Sequence, residues 1–115
     1  MSIKNLTPHA VRIFSLDGTA EIITVPPSGS IARVSVTRVP SRSGPVTILD
    51  GREIPVMVTT YGDVTGLPNE ELTQWLIVSA MVRAALPERR DLLSPGELIR
   101  DESGQPIGCR GLDGI

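Results

Sequence analysis

The sequence predicts an α+β fold of mostly antiparallel β-strands, with one or two short helices in the second half of the chain. Apolar and polar residues alternate in short runs between Pro- and Gly-rich turns, which is typical of half-buried strands. One longer apolar run in the second half has a helix-like continuation. At 115 residues the chain has the usual size of one domain with one core, so we expect residues 1–115 to form a single domain.

The first predicted hairpin lies near the start of the chain. Val11 and Ile13 alternate with polar neighbours, and Asp-Gly at 17–18 favours a tight turn before a returning strand over residues 22–25. Two prolines at 26–27 then interrupt the ladder, because proline donates no backbone hydrogen bond.

The clearest predicted strand covers residues 31–39. Its alternation indicates a half-buried strand whose polar face carries Arg33 beside two hydroxyl groups. A further hairpin is expected from residues 46–49 and 54–60, joined by an Asp-Gly turn at 50–51.

Two interpretations compete between residues 69 and 86. The apolar spacing fits a helix with Asn69 as its N-cap, whereas the apolar run at 75–78 is typical of a buried strand. We favour a short turn at 68–72, a central strand at 75–78 and a helix over 79–86 that Pro87 ends.

The last predicted element is a hairpin of residues 98–101 and 105–109. Ser-Gly at 103–104 suits a two-residue turn. That loop length would place Arg100 opposite Ile107 and Glu97 opposite Arg110.

Composition argues against several classes of partner. Phe14, Tyr61 and Trp75 are the only aromatic residues, too few for a platform that stacks single-stranded nucleic acid. The net charge of −2 argues against non-specific binding to DNA, which depends on a basic face. No apolar run approaches the roughly 20 residues that span a bilayer, and the first residues lack the apolar stretch of a signal peptide. We expect a cytoplasmic protein without DNA or membrane partners.

His9 and Cys109 are the only histidine and cysteine. One of each, about a hundred residues apart, matches neither a zinc site nor a catalytic Ser–His or Cys–His pair. We therefore expect no metal, no cofactor and no enzymatic activity. A structural role is expected for His9, and a buried position for Cys109.

A group of acidic residues leaves a hydrolase alternative open: Asp91, Glu97, Asp101 and Glu102. Paired carboxylates act as acid and base or hold magnesium, so a small metal-dependent nucleotide hydrolase is conceivable. Arginines at 89, 90, 100 and 110 are interleaved with these acids. Surface ion pairing is the simpler account.

Ten of the eleven basic residues are arginine. The planar guanidinium matches phosphate and carboxylate oxygens, so the arginines on strands and hairpins suit a compact, multiply charged ligand. A GC-rich genome would produce the same bias. The chain would then be a virion or host-interaction protein with no small ligand.

Three stretches resemble a family of short phage-encoded proteins, the first type of Thoeris anti-defence sponge. The stretches are Asn5-Leu6-Thr7-Pro8-His9-Ala10-Val11, Ile77-Val78-Ser79, and a C-terminal set that comprises Arg89-Arg90-Asp91-Leu92-Leu93, Ile99-Arg100-Asp101 and Gly108-Cys109-Arg110. The resemblance touches both ends and the middle of the chain. It implies that residues 1–115 are a single nucleotide-binding domain, which sequesters cyclic ADP-ribose isomers, made by TIR-domain immune enzymes, without cleaving them. It also implies dimers that assemble into hexamers and a second set of sites for cyclic oligonucleotides.

Such a ligand carries a pyrophosphate, an adenine and two riboses. It needs arginines on the phosphates, a planar group on the base, and amide, carboxylate or hydroxyl groups on the riboses. The expected ligand-binding residues are Arg33, Trp75, Arg90, Asp91, Arg100 and Arg110. Arg33 and Arg110 are the expected phosphate-binding pair. We also expect at least a dimer, because many short strands would leave apolar edges exposed in a monomer.

Overall fold

A computed structural model describes residues 2–115, which form ten strands and one short helix. The elements in chain order are β1 (Ser2–Asn5), β2 (Val11–Phe14), β3 (Glu21–Val25), β4 (Arg33–Pro40), β5 (Val46–Thr47), β6 (Glu53–Ile54), β7 (Met57–Thr65), β8 (Gln74–Ile77), α1 (Ala80–Ala85), β9 (Leu92–Arg100) and β10 (Pro106–Asp113).

Six of the strands form a central sheet in the order β1-β8-β9-β10-β2-β3. Its two edge strands meet where Asn5, the last residue of β1, bridges Pro27 just after β3. The amide of Ser28 donates to the carbonyl of Asn5 at 3.0 Å. The sheet is therefore nearly closed, and this seam pairs part of the two edges that an open sheet would leave free.

Strand β8 lies in the middle of the hydrophobic core. Leu76 and Val78, the residue directly after the strand, belong to one buried apolar cluster, and Ile77 belongs to a second cluster on the other face. All three are at most 1% exposed. Burial of both faces is typical of a strand with parallel neighbours, and β8 is parallel to both β1 and β9. The predicted strand at 75–78 is thus confirmed, shifted by one residue.

Helix α1 makes the crossover between the parallel strands β8 and β9, which is the usual connection for such a pair. The hydroxyl of Ser79 caps the helix by accepting from the amide of Val82 at 3.2 Å. Val82 is buried in the first cluster. The predicted helix over 79–86 is confirmed to within one residue at each end.

Residues 33–65 form a two-stranded ribbon, β4 paired with β7, with the small β5–β6 hairpin between them. We call this segment the arm. Only its base packs on the body, where Val34 and Val64 contact the first core cluster. The radius of gyration is 17.9 Å, against about 13–14 Å for a compact domain of this length. The arm accordingly stands away from the central sheet.

The α+β prediction is wrong, because the protein is mainly β. Strands take 49% of the chain and helix only 5%; the single short helix in the second half agrees with the sequence. Antiparallel pairing does not dominate the central sheet either, since three of its five neighbouring pairs are parallel. The apolar run before α1 is buried on both faces as a parallel strand, and Pro87 leaves little room for helix after it.

Strand β4 is not half-buried as its alternation predicts. Of its eight residues only Val34 is partly covered. The physical reason is that β4 belongs to the arm, so a pattern that normally faces a core here faces solvent on both sides.

The C-terminal hairpin has a different turn from the predicted one. The carboxylate of Asp101 accepts backbone N–H groups across the turn, which favours a loop of residues 102–104. A bulge at Ile107 then compensates for the longer loop. As a result Arg100 does not lie opposite Ile107, whereas Glu97 and Arg110 are opposite each other as predicted.

Within residues 2–115, no helix has the length and apolar character needed to cross a membrane.

Candidate functional site

The larger of two described cavities lies where the loop before β2, the start of α1 and the strands β9 and β10 meet. We call it the main cavity. Its volume is about 620 Å³, within the range of small-molecule sites. The polar side chains that line it are Thr7, His9, Arg12 and Ser79, and its walls are otherwise formed by apolar residues and glycines.

The loop along this cavity is held by the side chain of Asn5, which is 1% exposed. Its amide nitrogen donates to the carbonyls of His9 at 2.8 Å and of Val25 at 3.0 Å. Its oxygen accepts from the amide of Thr7 at 2.9 Å and from the Thr7 hydroxyl at 2.6 Å. These bonds fix the backbone of His9 beside the cavity, while the residue itself stays exposed.

Arg12 is the cation of the main cavity. It is exposed on β2, while its neighbours Val11 and Ile13 are buried. Its guanidinium donates to Glu21 at 3.0 Å and lies 5.0 Å from the centre of the Phe14 ring. The hydrogen bond with Glu21 raises the pKa of Arg12 and lowers the pKa of Glu21. The ion pair is exposed, so an anionic ligand would displace a weak partner.

Two glycines on the cavity wall allow the strands around it to approach closely. A Cβ atom at Gly96 would lie 2.2 Å from the carbonyl oxygen of Arg110, and one at Gly108 would lie 2.5 Å from the Phe14 ring. Any larger residue at either position would push β9, β10 and β2 apart. The two glycines therefore set the spacing of the strands that form the wall.

Cys109 also lines the cavity, but its residue is only 2% exposed. Its thiol donates to the carbonyl of Arg12 at 3.6 Å, and burial raises its pKa. The thiol is therefore neutral at pH 7 and poorly suited to act as a nucleophile. The expected buried position is confirmed.

Three of the predicted binding residues meet at the second cavity. Trp75, Arg90 and Asp91 border a space of about 110 Å³ together with Glu70 and Glu71. This volume is small for a nucleotide, and the two glutamates would repel phosphate.

Asp91 is already engaged by a neighbour. Both of its carboxylate oxygens accept from Arg89, at 2.8 and 2.7 Å, and the side chains are only 5% and 18% exposed. Arg89 also donates to the carbonyl of Pro68 at 3.1 Å. The hydrogen bond from Arg89 lowers the pKa of Asp91. Through these hydrogen bonds, Arg89 and Asp91 connect the segment before β8 to the turn before β9.

The other three predicted residues lie on separate elements and border neither described cavity. Arg33 begins β4 at the base of the arm and is exposed. Arg100 donates to the carbonyl of Gly104 at 2.8 Å and so closes its own hairpin. Arg110 donates to the carbonyl of Leu16 at 3.2 Å, which fixes the turn between β2 and β3. The chain thus groups three of the six predicted residues and keeps the others apart.

No three His, Cys, Asp or Glu side chains within residues 2–115 are arranged to hold a metal ion. The two aspartates of the hydrolase alternative already accept structural hydrogen bonds. Asp91 accepts from Arg89, and Asp101 accepts from the backbone of its own turn.

Sequence reasoning did not place His9 or Arg12 in a site, although His9 lies in the stretch of residues 5–11 and Arg12 directly follows it. The missing information is long-range. Strand β10 is parallel to β2, with Cys109 opposite Ile13, and this pairing forms the cavity wall. Local patterns carry no signal for a contact across so long a stretch of sequence.

No family model matches this chain, and neither the curated proteins nor the solved structures compared with it contain a significant match.

Proposed function

We propose that this protein binds and sequesters a cyclic nucleotide signal, such as a cyclic ADP-ribose isomer, without cleaving it, as a phage anti-defence protein. The observation that carries the proposal is the main cavity of about 620 Å³, a size suited to one small ligand. Its apolar walls suit the faces of a base and sugars. Arg12 supplies a planar donor fork for phosphate oxygens. The resemblance of the motifs to phage sponges supports the ligand class.

The surroundings of the reactive groups favour binding over hydrolysis. The buried thiol of Cys109 stays neutral, because burial raises its pKa. The carboxylates of Asp91 and Asp101 accept hydrogen bonds that hold turns in place. A site of this kind offers shape, one cation and hydrogen-bonding groups at its wall, which is what a sponge requires.

Calorimetric titration with cyclic ADP-ribose isomers tests the proposal and its location. We expect Arg12→Ala to weaken binding at least roughly thirtyfold, since the phosphate loses a charged partner. Arg42→Ala is the matched control, because Arg42 is exposed on the arm far along the chain from the cavity residues. Binding should persist in EDTA. Loss of affinity in Arg33→Ala and Arg110→Ala, with Arg12→Ala unchanged, would move the ligand to the phosphate pair expected from the sequence.

The fate of the ligand distinguishes the function classes. The protein is loaded, freed of excess ligand and denatured, and the released molecule is analysed by mass spectrometry. Intact ligand supports the sponge. A cleaved ligand would indicate a hydrolase, and no retained ligand would indicate an interaction protein.

A further inference from the structure

Arg83 is a partly covered cation whose terminal nitrogens have no acceptor. Its Nε donates to the hydroxyl of Ser94 at 2.8 Å, and Ser94 is 0% exposed. Within residues 2–115 this is the only hydrogen bond of the guanidinium, and Arg83 takes part in no ion pair. No buried side-chain nitrogen of the described residues lacks a partner, so the two terminal nitrogens are open to solvent.

Three arginines of the chain are partly covered, and the other two have acceptors for their terminal nitrogens. Arg89 donates to the carboxylate of Asp91 at 2.7 Å, and Arg110 donates to the carbonyl of Leu16 at 3.2 Å. Covering a charge costs free energy unless a counter-charge or hydrogen bonds compensate. Arg83 is covered with only a neutral hydroxyl as its partner, which indicates an anion from outside the chain.

Two elements place Arg83 beside the main cavity. The amide of Arg83 donates to the carbonyl of Ser79 at 3.1 Å, so Arg83 lies one helical turn from a residue that lines the cavity. On β9, Ser94 and Gly96 lie on the same face, because alternate residues of a strand do, and Gly96 also lines the cavity. Residues two apart on a strand are separated by about 7 Å. The guanidinium bonded to Ser94 therefore lies at the edge of the main cavity.

The charge of the ligand requires a second cation. The pyrophosphate of a cyclic ADP-ribose isomer carries one negative charge on each phosphate, and Arg12 is the only lysine or arginine among the described residues that line the cavity. A second phosphate without a partner in a largely apolar cavity would be costly. Asp113 lies directly opposite Ser94 on β10, but it is exposed and forms no ion pair with Arg83. No carboxylate of the described residues therefore competes for Arg83.

We propose that Arg83 is a second phosphate-binding residue of the main cavity, with Ser94 as its positioning residue. The inference rests on the proposed function, whose ligand supplies the phosphate. The Nε of Arg83 stays bonded to Ser94, and the two terminal nitrogens donate to oxygens of one phosphate, as a planar guanidinium does.

Calorimetric titration with cyclic ADP-ribose isomers measures the contribution of Arg83. We expect Arg83→Met to weaken binding at least roughly thirtyfold, because one phosphate loses its charged partner. Arg83→Lys should recover only part of the loss, since lysine lacks the planar fork. Arg42→Met is the matched control on the arm, where Arg42 is exposed, and it should bind as wild type does. Urea unfolding checks that each variant is folded.

A double-mutant cycle separates positioning from a structural role. Ser94→Ala should weaken binding in the wild-type background but not further in Arg83→Met, because Ser94 acts through Arg83. An equal loss in both backgrounds would mean that Ser94 supports the cavity by itself and does not position Arg83.

Protection from phenylglyoxal, which modifies the guanidinium of arginine, tests the wild-type protein and so needs no variant that folds. Peptide mapping by mass spectrometry should show Arg83 modified in the free protein and at least about fivefold more slowly with bound ligand, while Arg42 reacts equally in both. An unreactive Arg83 in the free protein would contradict its open terminal nitrogens.

The outcomes separate this inference from the proposed function. Unchanged affinity in Arg83→Met, or protection of Arg12 without protection of Arg83, would overturn the role of Arg83 and leave the proposed function standing. A wild-type protein that binds none of the isomers would overturn both.

Discussion

Three polar residues are buried in the part of the chain that the structure describes: Asn5, Asp91 and Ser94. Each has a hydrogen-bonding partner, and Ser94 accepts from the guanidinium of Arg83 at 2.8 Å. Among residues 2–115, no buried side-chain nitrogen or oxygen is left without a partner. Because one unpaired group would cost about 1–3 kcal/mol, these few side chains have a large effect on a small domain.

Asp91→Asn should lower the free energy of unfolding by about 3 kcal/mol at pH 7, because it leaves Arg89 covered without its counter-charge. Arg89 lowers the folded-state pKa of Asp91. The contribution of the carboxylate is therefore complete above the unfolded pKa of about 3.9. It is lost as the pH falls through that value and through the lower folded pKa. Urea unfolding from pH 7 to pH 3 should show the wild-type and variant curves converging.

The matched control for this prediction is Asp50→Asn. Asp50 also pairs with an arginine two residues away, Arg52, but both side chains are about half or more exposed. We expect little change in its stability at pH 7. A difference between Asp91→Asn and wild type that stays constant down to pH 3 would show that the charge of Asp91 contributes nothing.

At the scale of secondary-structure elements, one side chain joins the two edges of the central sheet. Asn5 lies at the end of β1, and its amide reaches the carbonyl of Val25 at the end of β3. Asn5→Ala removes this contact and also the bond to the carbonyl of His9, which then retains only the Thr7 hydroxyl, at 3.0 Å, as a side-chain donor. We expect a loss of about 2–4 kcal/mol in urea unfolding, and weaker ligand binding because the loop beside the main cavity loses its support.

Asn69→Ala is the control for Asn5→Ala, since Asn69 is exposed and lies in the loop between β7 and β8. Asn5→Asp adds a further check. It keeps the acceptor for Thr7 but cannot donate at neutral pH, so it should also be less stable than wild type. Equal stability of wild type and Asn5→Ala would mean that backbone pairing alone closes the sheet.

The elements that sequence reasoning found are those with local signals. The Asp-Gly turn and its alternating flanks identify β2 and β3, and Ser79 with Pro87 brackets α1. Strand β1 was missed because its four mixed residues gain their partner from β8, about seventy residues away. The first half of β9 was missed because Pro95 and Gly96 normally mark a turn. Here Gly96 instead permits the close approach of β10.

At the scale of the whole molecule, the chain divides into a nearly closed sheet and an arm. Its extents of 56 × 39 × 23 Å follow from that division. The sequence could not predict this division, because the alternation of residues 31–39 is compatible with a strand in a half-buried sheet and with a strand in an exposed ribbon. The candidate site was missed for a related reason: its wall depends on which strands become neighbours, and alternation does not encode neighbours.

The two parts should differ in their resistance to hydrogen exchange. The amide of Leu76 donates to the carbonyl of Asp91 at 2.9 Å, and the amide of Val78 donates to the carbonyl of Leu93 at 2.8 Å. Both residues lie in the core. Their exchange should require global unfolding. The arm beyond Val34 has few covered apolar contacts of its own. Its amides should therefore exchange through local opening, much faster than those of β8.

Mass spectrometry of exchanged peptides from residues 33–65 and 74–78 measures both rates. Exchange of the arm as slow as that of residues 74–78 would mean that the ribbon is stable by itself, against the expectation from its two exposed faces.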